Sequence, residues 1–500
     1  MLYNKEMQSA YILSLVRSGL GVLTSRVFGL IRDVVIAGVY GATGLTDIFF
    51  VAFAIPNLFR QFFAEGAISS AFVPFLSDKL HNDGRKSACT YLTQLLLVQT
   101  LLMLAICFIS MLFAPYIIRL FMPGATYNMY VVQTGANILR IVMPYLFFVG
   151  IGGLLAGYLN LNNSYYVAYS STACLNIMMI VGATVGYYQN GNIYSLAFSV
   201  FFGGTFQLAL VYVYSYHKGF RFGKLSPVDI DVKRTYKLLV PSIAGVSISQ
   251  LNFMIGRIVA SYLEAGSISW LFYANRLFQF PLGIFSVTIS TVSLTELSKA
   301  RSSGDAQQVK KLIDKAIIAL LLIILPATIG LVVLSQEIIQ LIFARRAFTQ
   351  YDVLKSAQAL QMYSVGLLFY SLVAIFTRVF HSEKNIKYPV VVAGVSFVVN
   401  LIFNLILMRP LGHAGVALAS SIAAVANAWL LYIGIRSYKF NIRQHLGFLL
   451  RLLLAVYAMV VALVAGKMLH LPVLLTITAC MTLYFGVLHL SGVNIRKMIR

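Results

Sequence analysis

Residues 46–77 read TDIFFVAFAIPNLFRQFFAEGAISSAFVPFLS. This is an apolar run long enough to cross roughly 30 Å of bilayer hydrocarbon, with a proline and an arginine set inside it. Pro56 offers no N–H to the carbonyl of Ala52, so a kink is expected in mid-helix. Asn57 and Arg60 follow within about a turn, and Glu65, the expected internal counter-charge, comes next. A kink beside polar groups marks a helix that lines a wet cavity.

Outward from that stretch the chain stays apolar. Of its 500 residues, 59% are hydrophobic and 11% charged, against about 25% charged in a soluble domain, which places the chain in the bilayer class. Apolar windows predict fourteen transmembrane helices, near 10–40, 48–76, 90–120, 130–159, 165–188, 193–216, 238–263, 268–297, 316–343, 353–380, 388–408, 413–435, 446–466 and 471–490. The start, MLYNKEMQSAYILSL, has no small-residue cleavage site and reads as a retained first helix. Cys89, Cys107, Cys174 and Cys480 lie in or beside spans without C-x-x-C spacing, so they read as buried small hydrophobes, not as a disulfide or zinc framework. The net charge of +23 belongs to loops in a protein of this class and argues against nucleic acid as a partner.

The distribution of that charge predicts orientation. With the N-terminus in the cytoplasm, one side holds Lys79, Arg85, Lys86, Lys218, Arg221, Lys224, Lys233, Arg234, Lys237, Lys299, Arg301, Lys310 and Lys311. The same side adds Lys384, Lys387, Arg436, Lys439, Arg443, Arg496, Lys497 and Arg500. The other side holds only Arg345, Arg346, Arg409 and Lys467. The asymmetry places both termini inside.

The opening stretch also returns. Residues 267–298, SISWLFYANRLFQFPLGIFSVTISTVSLTELS, lie against 46–77 at an offset of 221. Residues 165–179, YYVAYSSTACLNIMM, lie against 389–404, PVVVAGVSFVVNLIFN, with Asn176 on Asn400 at an offset of 224. Six spans separate the copies, an even number, so the two units are parallel repeats, an arrangement that puts a substrate site between them. The expected organisation is an all-α polytopic membrane protein. Residues 1–217 form an N-terminal lobe, 218–237 a basic cytoplasmic linker, 238–440 a C-terminal lobe, and 441–500 two further helices.

Arginines in the spans carry the functional reading: Arg17, Arg26, Arg32, Arg60, Arg140, Arg257, Arg276 and Arg378. A charge at the centre of a helix costs roughly 2.5–3.5 kcal/mol on insertion scales, so such residues face a partner, a cavity or a pathway. Arg17, Arg257 and Arg378 can equally snorkel to an interface. On the first helix Ser25, Gly29 and Arg32 share one stripe, and Arg26 and Asp33 the next. A structural pair of Arg26 with Asp33 would leave Arg32 without an obvious partner in that helix. Asp47, after Thr46 at the start of the second span, suits either helix capping or function. In the repeat, Arg276 follows Tyr273, Ala274 and Asn275, with Gln279 and Pro281 after it. Arginine on the second helix of each half makes an inferred cavity cationic, and the guanidinium fork suits a phosphate or pyrophosphate.

The segments S25RVFGLIRD33, 41–74 (GATGLTDIFFVAFAIPNLFRQFFAEGAISSAFVP) and 266–283 (GSISWLFYANRLFQFPLG) resemble the MurJ (MviN) family, lipid II flippases of the multidrug/oligosaccharidyl-lipid/polysaccharide exporter superfamily. The resemblance implies two six-helix lobes around a central cavity, two C-terminal helices forming a groove for the lipid tail, and alternating access. It implies that Ser25, Arg26, Arg32, Asp47, Arg60 and Arg276 serve the substrate, and Asn57 and Glu65 are added from the residues themselves. It implies a multi-pass protein of the bacterial inner membrane, with lipid II and membrane lipids as its partners and a monomer as the working form. No cofactor, metal or enzymatic step is expected. Some members carry a second arginine where this chain has Gln61, and acidic residues where it has Asn275 and Gln279. Asn400 and Asn404, a candidate ion site, offer neutral oxygens where sodium-binding members use carboxylates. That argues against sodium coupling and leaves the membrane potential open. The alternatives are a flippase for another polyprenyl-linked glycan and a MATE-like drug exporter, which would be expected to place carboxylates in its cavity.

Overall fold

Long apolar runs leave the backbone few ways to satisfy its N–H and C=O groups in hydrocarbon, and the helix does it within one segment. The computed structural model describes the backbone of residues 2–63, 66–224, 229–435, 440–441 and 443–493, with side chains except those of 2–17, 66–70, 240–249, 251, 253, 287 and 295. Glu65, the Arg17 side chain, and Arg436, Lys439, Arg496, Lys497 and Arg500 lie outside the described residues.

The order is α1 (Leu2–Tyr40), α2 (Gly44–Phe63), α3 (Gly66–Asn82), α4 (Gly84–Leu112), α5 (Ala114–Phe121), α6 (Met129–Val142), α7 (Tyr145–Leu161), α8 (Tyr165–Ser170), α9 (Thr172–Tyr188) and α10 (Ile193–His217). Then come α11 (Ile230–Ala260), α12 (Ser267–Pro281), a π-helical turn at Leu282–Ser286, α13 (Val287–Ser302), α14 (Ala306–Val333) and α15 (Ser335–Phe343). The chain ends with α16 (Gln350–Val365), α17 (Leu367–Ser382), α18 (Lys387–Gly434), α19 (Leu446–Met468) and α20 (Val473–Leu490). Among the described residues nine helical spans are long and apolar enough to cross a membrane, or ten when α16 and α17, bent by 41°, count as one. Several expected spans are built from two pieces, as in Met129–Leu161 and Ser267–Ser302. Two others run together in α18, broken at Gly412, whose φ of 57° and ψ of −135° suit glycine alone.

By contacts the chain forms two units: residues 1–250 with 345–348, and residues 251–344 with 349–500. In the first, Phe72, Leu76, Leu92, Leu95, Leu154, Tyr158 and Phe220 make a buried cluster among α3, α4, α7 and the stretch after α10. The seam of α9 and α10 is close because Gly182 is a glycine: a Cβ there would lie 2.3 Å from that of Ser199. Small residues let membrane helices approach in this way when no hydrophobic force drives them together. The start of α11 is clipped to α3 and α4. Lys79 Nζ lies 2.9 Å from Asp229 Oδ2 and 3.1 Å from Asp231 Oδ2. Tyr91 and Thr235 share a hydrogen bond at 2.7 Å, and Tyr236 Oη donates to Gln99 Oε1 at 3.0 Å. The hydrogen bond from Lys79 holds the Asp229 carboxyl below the usual carboxylate range. Burial opposes the charge on Lys79, but its hydrogen bonds to the two aspartates outweigh that and raise its pKa.

In the second unit, α19 and α20 are fastened to α14 by Leu322, Leu452, Met459, Leu463 and Tyr484, all buried. Tyr484 Oη donates to the Leu322 carbonyl at 2.9 Å. Lys467 and Glu337 pair at 3.0 Å. The start of α12 is held by Trp270, 1% exposed, whose Nε1 donates to Asp352 Oδ1 at 2.9 Å. Asp352 also closes a capping box with Thr349 at the head of α16.

Candidate functional site

The polar residues of α1 divide into two environments. Arg32 is buried, and its Nε and Nη2 donate to Asp33 Oδ1 at 2.8 and 2.6 Å. Its Nη1 donates to Asn176 Oδ1 of α9 at 2.9 Å. The Asn176 amide, buried as well, donates back to the Ser25 carbonyl at 3.0 Å. Ser25 Oγ shares a 2.6 Å hydrogen bond with Thr172 Oγ1. Arg32 is therefore neutralised and fixed, and the alternative of a structural Arg26–Asp33 pair is corrected: Asp33 serves Arg32. Side chains that leave a helix at adjacent positions can still meet when one is as long as arginine. Arg26 is exposed and has no hydrogen bond or ion pair with any described residue.

On α2, Asp47 lies in the first turn, where a carboxylate complements the helix dipole. The helix begins at Gly44, and the Thr43 hydroxyl accepts the Thr46 N–H at 3.4 Å. Asp47 sits further into the first turn, 4% exposed. The helix runs through Pro56 to Phe63. Asn57 donates to the Phe53 carbonyl at 2.8 Å and accepts from Arg60 Nε at 3.1 Å, so it orients the half-buried arginine. This lobe brings Ser25 and Arg32 into one network, and Asn57 and Arg60 into another.

In the second unit Arg276 is half-buried on α12, one residue after Asn275, which accepts from Gln279 Nε2 at 3.1 Å. Asn400 and Asn404 are buried in an amide chain. Asn404 Nδ2 donates to Asn400 Oδ1 at 2.7 Å, and Asn400 Nδ2 donates to Asn252 Oδ1 of α11 at 3.1 Å. The side-chain oxygens of Asn400 and Asn252 are thus already accepting. No three His, Cys, Asp or Glu side chains among the described residues are grouped to hold a metal ion. The Asn404 Oδ1, in contrast, is buried and accepts no hydrogen bond among the described residues.

In each unit an asparagine of a later helix, Asn176 or Asn400, ties that helix to the first helix of its own unit, α1 or α11. The sequence reading used Asn176 only to set an offset and missed it, Thr172 and Asn252 as site residues. The available signal was an amide recurring in two apolar runs.

A solved inward-facing MATE-family multidrug transporter of the MOP superfamily superposes with a TM-score of 0.68, covering 84% of this chain and 97% of that one at 13% identity. The class is a multi-pass membrane protein with the MOP transporter fold. A solved structure titled "Lipid II flippase MurJ, inward closed conformation" superposes with a TM-score of 0.82 over 97% of this chain and 100% of that one, at 27% identity. A probable lipid II flippase MurJ of Buchnera aphidicola subsp. Schizaphis graminum is 34% identical over 453 residues, 89% of this chain and 88% of that protein. Residues 36–485 match the family described as "Lipid II flippase MurJ". The chain belongs to that family.

Proposed function

We propose that this protein is a lipid II flippase, moving the undecaprenyl-pyrophosphate-linked peptidoglycan precursor from the inner to the outer leaflet of a bacterial cytoplasmic membrane by alternating access. It breaks no bond and works as a monomer with both termini in the cytoplasm, a topology supported by the loop-charge asymmetry. The observation that carries the reading, beside family membership, is the contrast on α1. Six residues from an arginine already cancelled by Asp33, Arg26 keeps its full set of donors. An unspent guanidinium in an apolar helix calls for an anion, and the substrate's pyrophosphate supplies one.

In this reading Arg26, Arg60 and Arg276 engage the head group. Ser25, Arg32 and Asn57 hold the helices that present them, and Asp47 and Glu65 balance local charge. The fold shared with MATE transporters leaves a drug exporter without a specific observation in its favour. Asn400 and Asn404 offer only neutral oxygens, which argues against sodium coupling there and leaves the membrane potential as the energy source.

The test is a leaflet assay for lipid II in cells that depend on this protein. Arg26→Ala and Arg60→Ala should stop outward delivery while the variants reach the membrane at wild-type levels. Normal delivery after depletion of the protein would remove the proposal.

A further inference from the structure

Asn176 is buried on α9, and both ends of its amide are committed to α1. Nδ2 donates to the Ser25 carbonyl at 3.0 Å, and Oδ1 accepts from Arg32 Nη1 at 2.9 Å. A carbonyl only accepts and a guanidinium only donates, so the amide fits in one orientation. Ser25 and Arg32 are two helical turns apart, so one side chain grips α1 at two heights. One turn earlier on α9, Thr172 makes a second grip. Its hydroxyl donates to the Tyr169 carbonyl at 3.2 Å, so its oxygen is the acceptor for the Ser25 hydroxyl at 2.6 Å. Gly21 lets α1 come this close: a Cβ there would lie 2.9 Å from the Tyr166 carbonyl of α8.

Such bonds decide more in a bilayer than in water. Water turns the apolar stripe of a helix inward, but in hydrocarbon that force is absent, and packing and polar bonds set the rotation. The exposed side of α1 is itself apolar at Leu20, Leu23, Val27 and Ile31, so hydrophobicity does not choose which way the helix faces. The choice falls to the bonds at Ser25 and Arg32. Arg26 follows Ser25 directly, about 100° further round the axis, and is exposed with no bond to a described residue. Whatever fixes Ser25 therefore fixes the direction of Arg26.

We infer that Asn176 and Thr172 are positioning residues for Arg26: they set the rotation of α1 that presents its guanidinium to the diphosphate of a lipid. The inference rests on the flippase reading for the role of Arg26. The plainer alternative is that the two residues only staple α9 to α1. Their loss would then lower stability and leave the ligand affinity of the folded protein untouched.

The experiment is a double-mutant cycle on the full-length protein in phosphatidylcholine nanodiscs. It measures binding of farnesyl diphosphate, with farnesol as the uncharged control and the unfolding midpoint recorded for each variant. Arg26→Ala should weaken farnesyl diphosphate roughly tenfold or more, the loss expected for a charge-assisted hydrogen bond, and leave farnesol unchanged. Asn176→Ala and Thr172→Val should each weaken it roughly three- to tenfold beside Arg26, and by less than about twofold in the Arg26→Ala background, where the group they aim is gone. Thr172→Ser keeps the hydroxyl and should bind like the wild type. Thr184→Val, which removes a hydroxyl bonded to the Ile180 carbonyl of its own helix, should change nothing. Should Asn176→Ala fail to fold, Thr172→Val and Thr172→Ser decide the matter. Folded Asn176→Ala and Thr172→Val that bind like the wild type overturn the inference, however far their midpoints fall. A loss of equal size with and without Arg26 overturns it as well. If Arg26→Ala is weakened while Asn176→Ala and Thr172→Val are not, the positioning role fails and the flippase reading stands. If the cycle is non-additive while the leaflet assay shows no lipid II transport by the wild type, the positioning role stands and the flippase reading fails.

Discussion

Replacing Asp33 by asparagine preserves shape and removes only the charge that cancels Arg32. In the wild type Arg32 donates twice to Asp33 Oδ1, at 2.8 and 2.6 Å, and once to Asn176, with Arg32 8% and Asp33 0% exposed. Charge centres about 4 Å apart attract by roughly 4 kcal/mol at an effective dielectric constant near 20. Removing one partner of a buried pair also leaves the other charge desolvated, and such changes cost about 3–5 kcal/mol. For a cooperative unit of about 250 residues each kcal/mol lowers the unfolding midpoint by ~2 °C, so Asp33→Asn should lose ~6–10 °C. The assay is thermal unfolding of the purified protein in detergent, read by far-ultraviolet circular dichroism and by monodispersity. The double variant Arg32→Gln/Asp33→Asn should regain part of the loss, because an amide pair leaves no orphan charge. An Asp33→Asn midpoint within ~1 °C of wild type, or a double variant worse than the sum of its parts, would refute the claim that this pair is structural.

Arg26→Ala should abolish complementation of a flippase-depleted strain with an unchanged unfolding midpoint, since Arg26 bonds to no described residue; wild-type growth would count against it. Gln279→Glu should be tolerated in the same growth assay, because Gln279 is exposed and its amide donates to Asn275 alone among the described residues. Lys79→Ala should cost about 1 kcal/mol at pH 7, where the pair is partly exposed and screened. The sign follows from both partners. The depressed Asp229 pKa gives stability present above the ordinary carboxylate range and lost as pH falls through its lowered value. The raised Lys79 pKa gives stability present below the ordinary lysine value and lost only in strong alkali. Unfolding midpoints of wild type and Lys79→Ala should therefore converge as pH drops below about 4.

The membrane class and the helical fold were legible because they depend on a one-dimensional pattern, the length of the apolar runs. Bond partners were not. Arg32 and Asp33 leave the helix about 100° apart, so face-counting assigned Asp33 to Arg26, seven residues back, and could not foresee a side chain folding onto its neighbour. Asn176, which completes that network, is 144 residues from Arg32, and nothing local to either position couples them. For Asp47 the first-turn position could be read from the sequence, but not that the Thr43 hydroxyl accepts the Thr46 N–H beside it. The boundary at Gly412 was legible, because it falls between the apolar windows 388–408 and 413–435, whereas α2 continues as one helix through Pro56.

The asparagine ties within each lobe have a consequence in an energised membrane. A transmembrane voltage does work on net charge, about 2.3 kcal/mol per elementary charge per 100 mV, and far less on neutral amide dipoles. Asn176 with Ser25, Asn400 with Asn252, and the zwitterion of Arg32 with Asp33 carry no net charge. The joints that keep each lobe in one piece are therefore deaf to the field, so a bacterium can swing its potential without loosening them. Whatever electrical force this protein feels falls on arginines such as Arg26 that stand outside those joints.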